Sequence, residues 1–479
     1  MKLIPGKWIT LIVVISFSIP ATAQISAGIC EAVSPAVCYY VSPIGNDKNP
    51  GSFNLPWRTF THAVSDRIQP GDVIYARGGT YTEISGIPYS QSILSFNRYS
   101  KFAGDPATPV TYKSYPGEIA ILDAQFASNA IHIQGTARTG IIIENFEIKN
   151  SWIAGIKLED GPSFITIRGN NIHGTDGAEG SNTAGIVANA SNNITIEGNL
   201  IHGNYQQISP NNRNNANIFL FGRTAFFVIR NNEMYNSVQG IWYKHSGRQS
   251  SLFENNYLHN LRGSAFIIAT DNITMKNNLI VDAKNAFIIH EEAGCDRCSR
   301  DNTIVHNTVI DSQSFGLNRG ADQAGAIRTT IRDNIFFDSS NPPMWGPSIW
   351  TYGSDEDFSN NTPDVRSYNN LYYTNHLVFR YFSAGGQWGN LGGVYDLEQF
   401  QAMGYETNTL DIDPHFVNNS GLLQEITDFS LSPDSPAKGK ASDTTDIGAD
   451  INLVGIVNLQ NIPNRNSVND QNTTACNPY

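Results

Sequence analysis

Ile165-Thr-Ile-Arg-Gly-Asn170-Asn-Ile-His173 and Ile194-Thr-Ile-Glu-Gly-Asn199-Leu-Ile-His202 are two copies of one unit. Each has alternating β-branched residues, then an Asn, then a second short apolar pair. Related units stand at Ile142-Ile-Glu-Asn145-Phe, Phe227-Val-Ile-Arg-Asn-Asn232, Leu252-Phe-Glu-Asn-Asn256-Tyr-Leu-His259 and Ile273-Thr-Met-Lys-Asn-Asn278-Leu-Ile. The series runs on through Thr303-Ile-Val-His-Asn307, Ile331-Arg-Asp-Asn334 and Tyr368-Asn-Asn370. Counted from Asn to Asn the steps are 25, 29, 33, 24, 22, 29, 27 and 36 residues. Alternation with period two and β-branched enrichment reads as strand. An Asn suits a tight corner, because it tolerates left-handed backbone and bonds neighbouring backbone groups. Repeats near 22 residues, with longer ones carrying loops, predict an all-β, single-stranded, three-sided right-handed parallel β-helix of about ten coils. Stacking should line the Asn residues into a ladder. Ile165, Ile167, Ile194, Ile196, Ile241, Ile273, Phe287 and Ile289 are the expected core.

Working outward, both ends carry short signatures. Tyr40-Val-Ser-Pro-Ile-Gly-Asn-Asp47, Pro56-Trp-Arg-Thr-Phe60, Pro70-Gly-Asp-Val-Ile-Tyr75 and Gly78-Gly-Thr-Tyr-Thr-Glu83 open the array. Asp413-Pro-His-Phe-Val417, Asp428-Phe-Ser-Leu431, Ser435-Pro-Ala437 and Asp446-Ile-Gly-Ala449 close it. Together they resemble the first and last coils of secreted bacterial proteins of the pectate-lyase-like superfamily. A short helix over Phe60 to Ile68 is expected to cap the first coil, since a solenoid needs covered ends. Residues 341–410 interrupt the pattern and read as long loops and late coils. The expected layout is a signal peptide at 1–23, a lead segment at 24–39, the β-helix at 40–452 and a poorly ordered Asn-rich tail at 453–479.

The signal peptide rests on Lys2 and Lys7, the apolar run Ile9 to Ile19, and Ala21-Thr22-Ala23 before Gln24. It implies a secreted or periplasmic protein. No other apolar run is long enough to span a membrane. A net charge of -12 argues against nucleic acid as a partner. Of five cysteines, Cys295 and Cys298 form a C-x-x-C without the partners that zinc needs, and read as a loop pair. Cys30, Cys38 and Cys476 cannot all pair among themselves.

A β-helix binds polymers along one face, where successive coils stack at about 4.8 Å. Counting eight residues from each corner Asn to the next strand puts Lys244, Ile268, His290 and Arg319 at one height. Alternation points Ile241 and Tyr243 inward and Trp242 and Lys244 outward. His245, Arg248, Glu291, Glu292 and Asp271 lie close by, and Glu159, Asn189 and Arg223 extend the stripe on earlier coils. A mixed-charge stripe can be no more than a solvated face. It also holds what β-elimination on a uronic-acid polymer requires. That reaction needs a base beside an acidic C–H and a cation to neutralise the carboxylate as an enolate-like anion forms. An amine serves as base where neighbouring cations depress its pKa. Carboxylates can hold Ca²⁺, which takes oxygen ligands and can bridge to the substrate.

The residues resemble β-helix polysaccharide lyases that use Ca²⁺ with a Lys or Arg base. Lys244 in Gly-Ile-Trp-Tyr-Lys-His matches the lysine of some alginate and dermatan-type lyases. Those enzymes carry an arginine one coil later, at the height counted to Ile268, so Arg248, Arg262, His290 or Arg319 would take its place. The aspartate cluster of the pectate lyases is not reproduced. The resemblance implies Lys244, His290, Arg319 and His245 as catalytic residues. Trp242, Arg248, Glu159, Asn189 and Arg223 would bind substrate, and Glu291, Glu292 and Asp271 would hold Ca²⁺. The expected partner is an acidic polysaccharide and the expected state a monomer. A glycoside hydrolase would need two carboxylates facing each other across the scissile bond. A non-catalytic carbohydrate-binding or surface protein is the other alternative.

Overall fold

Period-two alternation gives each coil an inward set of aliphatic side chains, and stacking coil upon coil buries them together. In the computed structural model, 28–456 and Pro463 are described, except 87–89, 98–101, 103, 178–181, 205–213, 245–249, 291–298, 313–314, 319–327, 339–343, 346–348, 351–364, 375–376, 384–389 and 419–425. The chain forms a right-handed parallel β-helix. One side is a twelve-stranded sheet running from Cys38–Val41 to Val365–Tyr368. A nineteen-stranded sheet bends to supply the other two sides, and two of its strands, Tyr257–Ala269 and Leu279–His290, are long enough to cover both. All eight expected core residues are buried in one continuous cluster.

The ladder forms at the corner with its amides bonded coil to coil. Asn170, Asn199, Asn232, Asn256, Asn278, Asn307, Asn334 and Asn370 are fully buried. Each passes an Nδ2–H to the Oδ1 of the next at 2.9–3.0 Å, from Asn170 through Asn334. The left-handed residue is the one before the ladder: Asn231, Asn255, Asn277, His306, Asp333 and Asn369 have φ between 53° and 58°. Asn145 therefore sits one place early. It takes the left-handed position, and Phe146 behind it donates its N–H to Asn170 Oδ1. Glu406 and Thr409 close the far end by bonding Asn370.

At the N-terminal end the expected helix is only a 3-10 turn, His62–Val64, though Phe60, Ala63, Val64 and Ile68 are buried against the first coil as a cap requires. Cys30 and Cys38 are disulfide-bonded; Cys295, Cys298 and Cys476 lie outside the described residues, as does 1–23. In the interrupted region a small sheet forms from Met344–Trp345, Ile349–Trp350, Leu377–Ser383 and Asn390–Tyr395, followed by the α-helix Leu397–Ala402.

The closing segment turns back along the outside of the coils. Its path is pinned to the left-handed corner residues one after another: Asn369 to Lys440 O, Asp333 to Ser442, Asn277 to Asp450, Asn255 to Gly455 and Asn231 to Leu453 O. Phe429, Ile447, Ile451 and Val454 pack on the outward faces of Tyr257, Leu279, Ile335 and Leu371. Val454 and Ile456, which the sequence assigns to a loose tail, are buried, and Pro463 accepts from Asn171 Nδ2 at 3.1 Å. Apolar side chains left on an outer sheet face draw this segment in.

Candidate functional site

The strands Ala154–Glu159, Thr183–Asn189, Asn215–Phe221 and Gln239–Lys244 lie in register on one face, continued by the second halves of Tyr257–Ala269 and Leu279–His290. Leu158, Ala188, Leu220, Tyr243, Ile268 and Ile289 form one inward row of this face. The residue after each therefore stands on the outward row: Glu159, Asn189, Phe221, Lys244, Ala269 and His290, with Asn318 paired to His290. Glu159, Asn189, Lys244 and His290 share a row.

Two neighbours in that row differ from the equal-offset count. Ala269, not Ile268, pairs with Lys244, and Asn318, not Arg319, pairs with His290. The cause is a bulge between Leu261 and Ser264, which gives that coil one extra residue, while the coil starting at Asn307 has one fewer. Arg223 lies in the turn after Phe221, with φ 64°. Its neighbour Gly222 has φ 67°, and a Cβ there would fall 2.0 Å from Asn189 Oδ1, so this turn requires glycine. Asp271 is buried two residues past Ala269, its Oδ1 accepting from the Arg300 N–H at 2.8 Å. His245, Arg248, Glu291, Glu292 and Arg319 lie outside the described residues, and of His290 only the backbone is described.

Lys244 is only 9 % exposed. Its Nζ lies 4.7 Å from the Trp242 ring centroid and 5.1 Å from that of Phe219, a cation over two aromatic faces. Trp242 and Phe219 themselves pack on Val187, Ala154, Ala184 and Ala216, an apolar strip on the outside of the sheet. Beside it a groove of about 390 Å³ is lined by Gln239, Trp242, Arg262, Ile267, Lys284 and Ile288 among others. Arg262, one of the candidate cations, and Lys284 give this groove a basic edge.

Two coils before Asn215–Phe221, the row holds a second group. Glu159 bonds His132 Nε2 and Lys157 Nζ, both at 2.7 Å. Burial opposes its ionisation, but these two hydrogen bonds outweigh it and hold its pKa down to about 2. Sequence reasoning missed His132, which is fully buried. The only signal was its place between Ile131 and Ile133 on an alternating strand, and register alone sets it beside Lys157. Among the described residues no three acidic, His or Cys side chains gather as a metal site. Of the expected Ca²⁺ ligands only Asp271 is described, and one of its oxygens is occupied by a backbone amide.

Comparison with known proteins agrees with the β-helix fold. The family described as Pel9A-like, right-handed β-helix region, matches residues 39–261, and the right-handed β-helix region matches 207–362. The chain is 24% identical over 459 residues to the uncharacterized protein YwoF of Bacillus subtilis, covering 83% of this chain and 92% of that one. It is 34% identical over 103 residues to pectate lyase PEL9 of Emericella nidulans, covering 21% of this chain and 22% of that enzyme. The crystal structure of pectate lyase Pel9A superposes with a TM-score of 0.58 at 15% identity, covering 87% of this chain and 96% of that one. The chain is a right-handed parallel β-helix protein, and its fold is similar to that of pectate lyase Pel9A. Among the described residues no helix is long and apolar enough to cross a membrane.

Proposed function

We propose that this protein is an exported polysaccharide lyase that cleaves a uronic-acid-containing polymer by β-elimination, with Lys244 as the base. The observation that carries the reading is the position of Lys244. It ends a strand on the groove face, its ammonium group lies over Trp242 and Phe219, and it shares its row with Glu159, Asn189 and His290. The pectate-lyase-like fold and the local likeness to PEL9 support the same reaction class. Export rests on the N-terminal sequence pattern.

In this reaction the base takes the proton on the carbon beside the uronate carboxylate. The electron pair left behind forms a C=C bond, and the glycosidic oxygen on the next carbon leaves with the pair of the broken C–O bond and takes a proton from the protonated base or from water. Lys244 is placed to take the first proton, with His290 the alternative. Trp242 offers an apolar face to the sugar ring. Arg319, His245 and Arg248 are assigned to the carboxylate as negative charge builds on it. Glu159, held ionised by His132 and Lys157, would orient sugar hydroxyls by accepting from them, alongside Asn189 and Arg223. Glu291, Glu292 and Asp271 would hold Ca²⁺, which would supply further charge neutralisation.

The test is a screen of the purified protein on pectate, alginate, glycosaminoglycans and ulvan, with and without EDTA. The ultraviolet absorbance of the unsaturated product is expected, and Lys244→Ala should lose it. Fragments without new absorbance would make the protein a hydrolase. Polymer depleted from solution with no fragments would make it a binding protein.

A further inference from the structure

The corner row that opens the strands of the twelve-stranded sheet carries exposed phenylalanines at two left-handed places. Register sets Gly140, Phe164, Asn193 and Phe226 on consecutive coils, and continues through Ser250, Asn272, Asp301 and Arg328. All of these but Ser250 have φ between 51° and 62°. Gly, Asn and Asp reach that conformation at least cost, whereas a bulky aromatic side chain is an outlier in it. Packing does not offset the strain, because Phe164 is 49 % exposed and Phe226 46 %. Strain kept at an exposed aromatic position points to a use beyond folding.

The geometry supplies that use. Two coils separate the phenylalanines, a spacing of about 10 Å along the axis, close to the length of a disaccharide. Asn193 lies between them, and Thr166 and Thr195 stand on the next outward row, half exposed. Further along the same strands Arg168 pairs with Glu144 and Arg230 with Glu197, each at 2.7 Å, so the charges of this face already neutralise one another. Aromatic rings take the apolar faces of pyranose sugars, while amide and hydroxyl groups meet the sugar hydroxyls. We infer that Phe164 and Phe226 form a binding platform for a neutral, extended β-1,4-linked polysaccharide lying along the helix axis, with every second sugar stacked on a ring. This is a polymer contact on a different face from Lys244, and it stands independently of the lyase reading.

Amorphous cellulose is the probe. Depletion of the full-length protein by sedimentation with it should be saturable. In Phe164→Asn/Phe226→Asn the affinity should fall about tenfold or more, in keeping with the loss of two aromatic contacts. The thermal midpoint of that variant should be equal or higher, since asparagine fills the neighbouring corner position at Asn193. Phe164→Tyr/Phe226→Tyr should bind like the wild type. Turnover of a soluble uronate oligomer, where present, should be unchanged in all of them, and is tested separately through Lys244→Ala. A wild type that stays in the supernatant overturns the inference, as does an Asn variant depleted as well as the wild type. A wild-type dimer in solution that the Asn variant splits would also overturn it, by making the patch a contact between copies.

Discussion

Asn278→Ala should cost about 3–5 kcal/mol of stability, because it removes a link in the middle of the corner ladder. The side chain is fully buried. Its Nδ2 donates to Phe253 O at 3.0 Å and to Asn307 Oδ1 at 2.9 Å, and its Oδ1 accepts from both Asn256 N and Asn256 Nδ2 at 3.0 Å. Truncation strips the Asn256 backbone N–H of this partner in a dry corner, and weakens the hold on Phe253 O and Asn307. A buried polar group left unsatisfied costs about 1–3 kcal/mol, and at least two are created. Urea unfolding measures the loss through the midpoint at constant slope. Asn278→Asp keeps the shape, but a carboxylate has no N–H to give Phe253 O and Asn307 Oδ1, so it should destabilise at least as much. Asn452→Ala, on an exposed residue, should change stability by less than about 0.5 kcal/mol. Combining Asn256→Ala with Asn278→Ala should cost less than the two added, since they share two bonds. A loss under about 1 kcal/mol for Asn278→Ala, or strict additivity in the double variant, would refute the claim that the ladder carries stability.

Lys244→Ala should lower turnover about a hundredfold or more, as expected on losing a general base. The same change should also lower the thermal midpoint, because Lys244 is packed over Trp242 and Phe219 rather than exposed; full activity would remove Lys244 from the chemistry. Glu406 is fully buried, and burial raises its pKa despite hydrogen bonds from Ser367, Thr409, Asn370 and Tyr372. A raised folded pKa gives stability that is complete below the unfolded value of about 4.3 and is lost as pH rises through the folded value. Glu406→Gln should therefore gain on the wild type as pH rises from 4 to 8, in pH-dependent urea melts. Glu159 is the opposite case: its contribution is present above about 4.3 and fades as pH falls toward 2. Glu159→Gln should cost up to about 3 kcal/mol at neutral pH and nothing near pH 2, by the same melts.

The coils and their core were legible because alternation and a recurring Asn are local signals, repeated often enough to set the register. The ladder itself was legible, but not which residue bends. That Asn255 turns left-handed while Asn256 is buried depends on the stacked coil, and so the unit at Asn145 was counted one place early. The outward direction of Lys244 followed from alternation, yet its burial did not, since Phe219 reaches it from the coil before. Equal counting from corner to strand could not detect the bulge at Leu261–Ser264, because an added residue leaves no trace in composition. For the same reason the pairing of Glu159 with His132, 27 residues earlier, was invisible.

A stack of coils held only by neighbours ought to fray one rung at a time from its open end. The returning segment changes that arithmetic, because a stretch of sixteen residues, Lys440 to Gly455, grips the corners at Asn369, Asp333, Asn277, Asn255 and Asn231 together. No one of those rungs can peel away while the others stay seated without first tearing the segment loose. The far half of the array is thus tied into one mechanical element, with a lace threaded through its eyelets. Pulled from the C-terminus, it should resist until the lace gives, then release several rungs in a single long rip in place of a staircase of small ones.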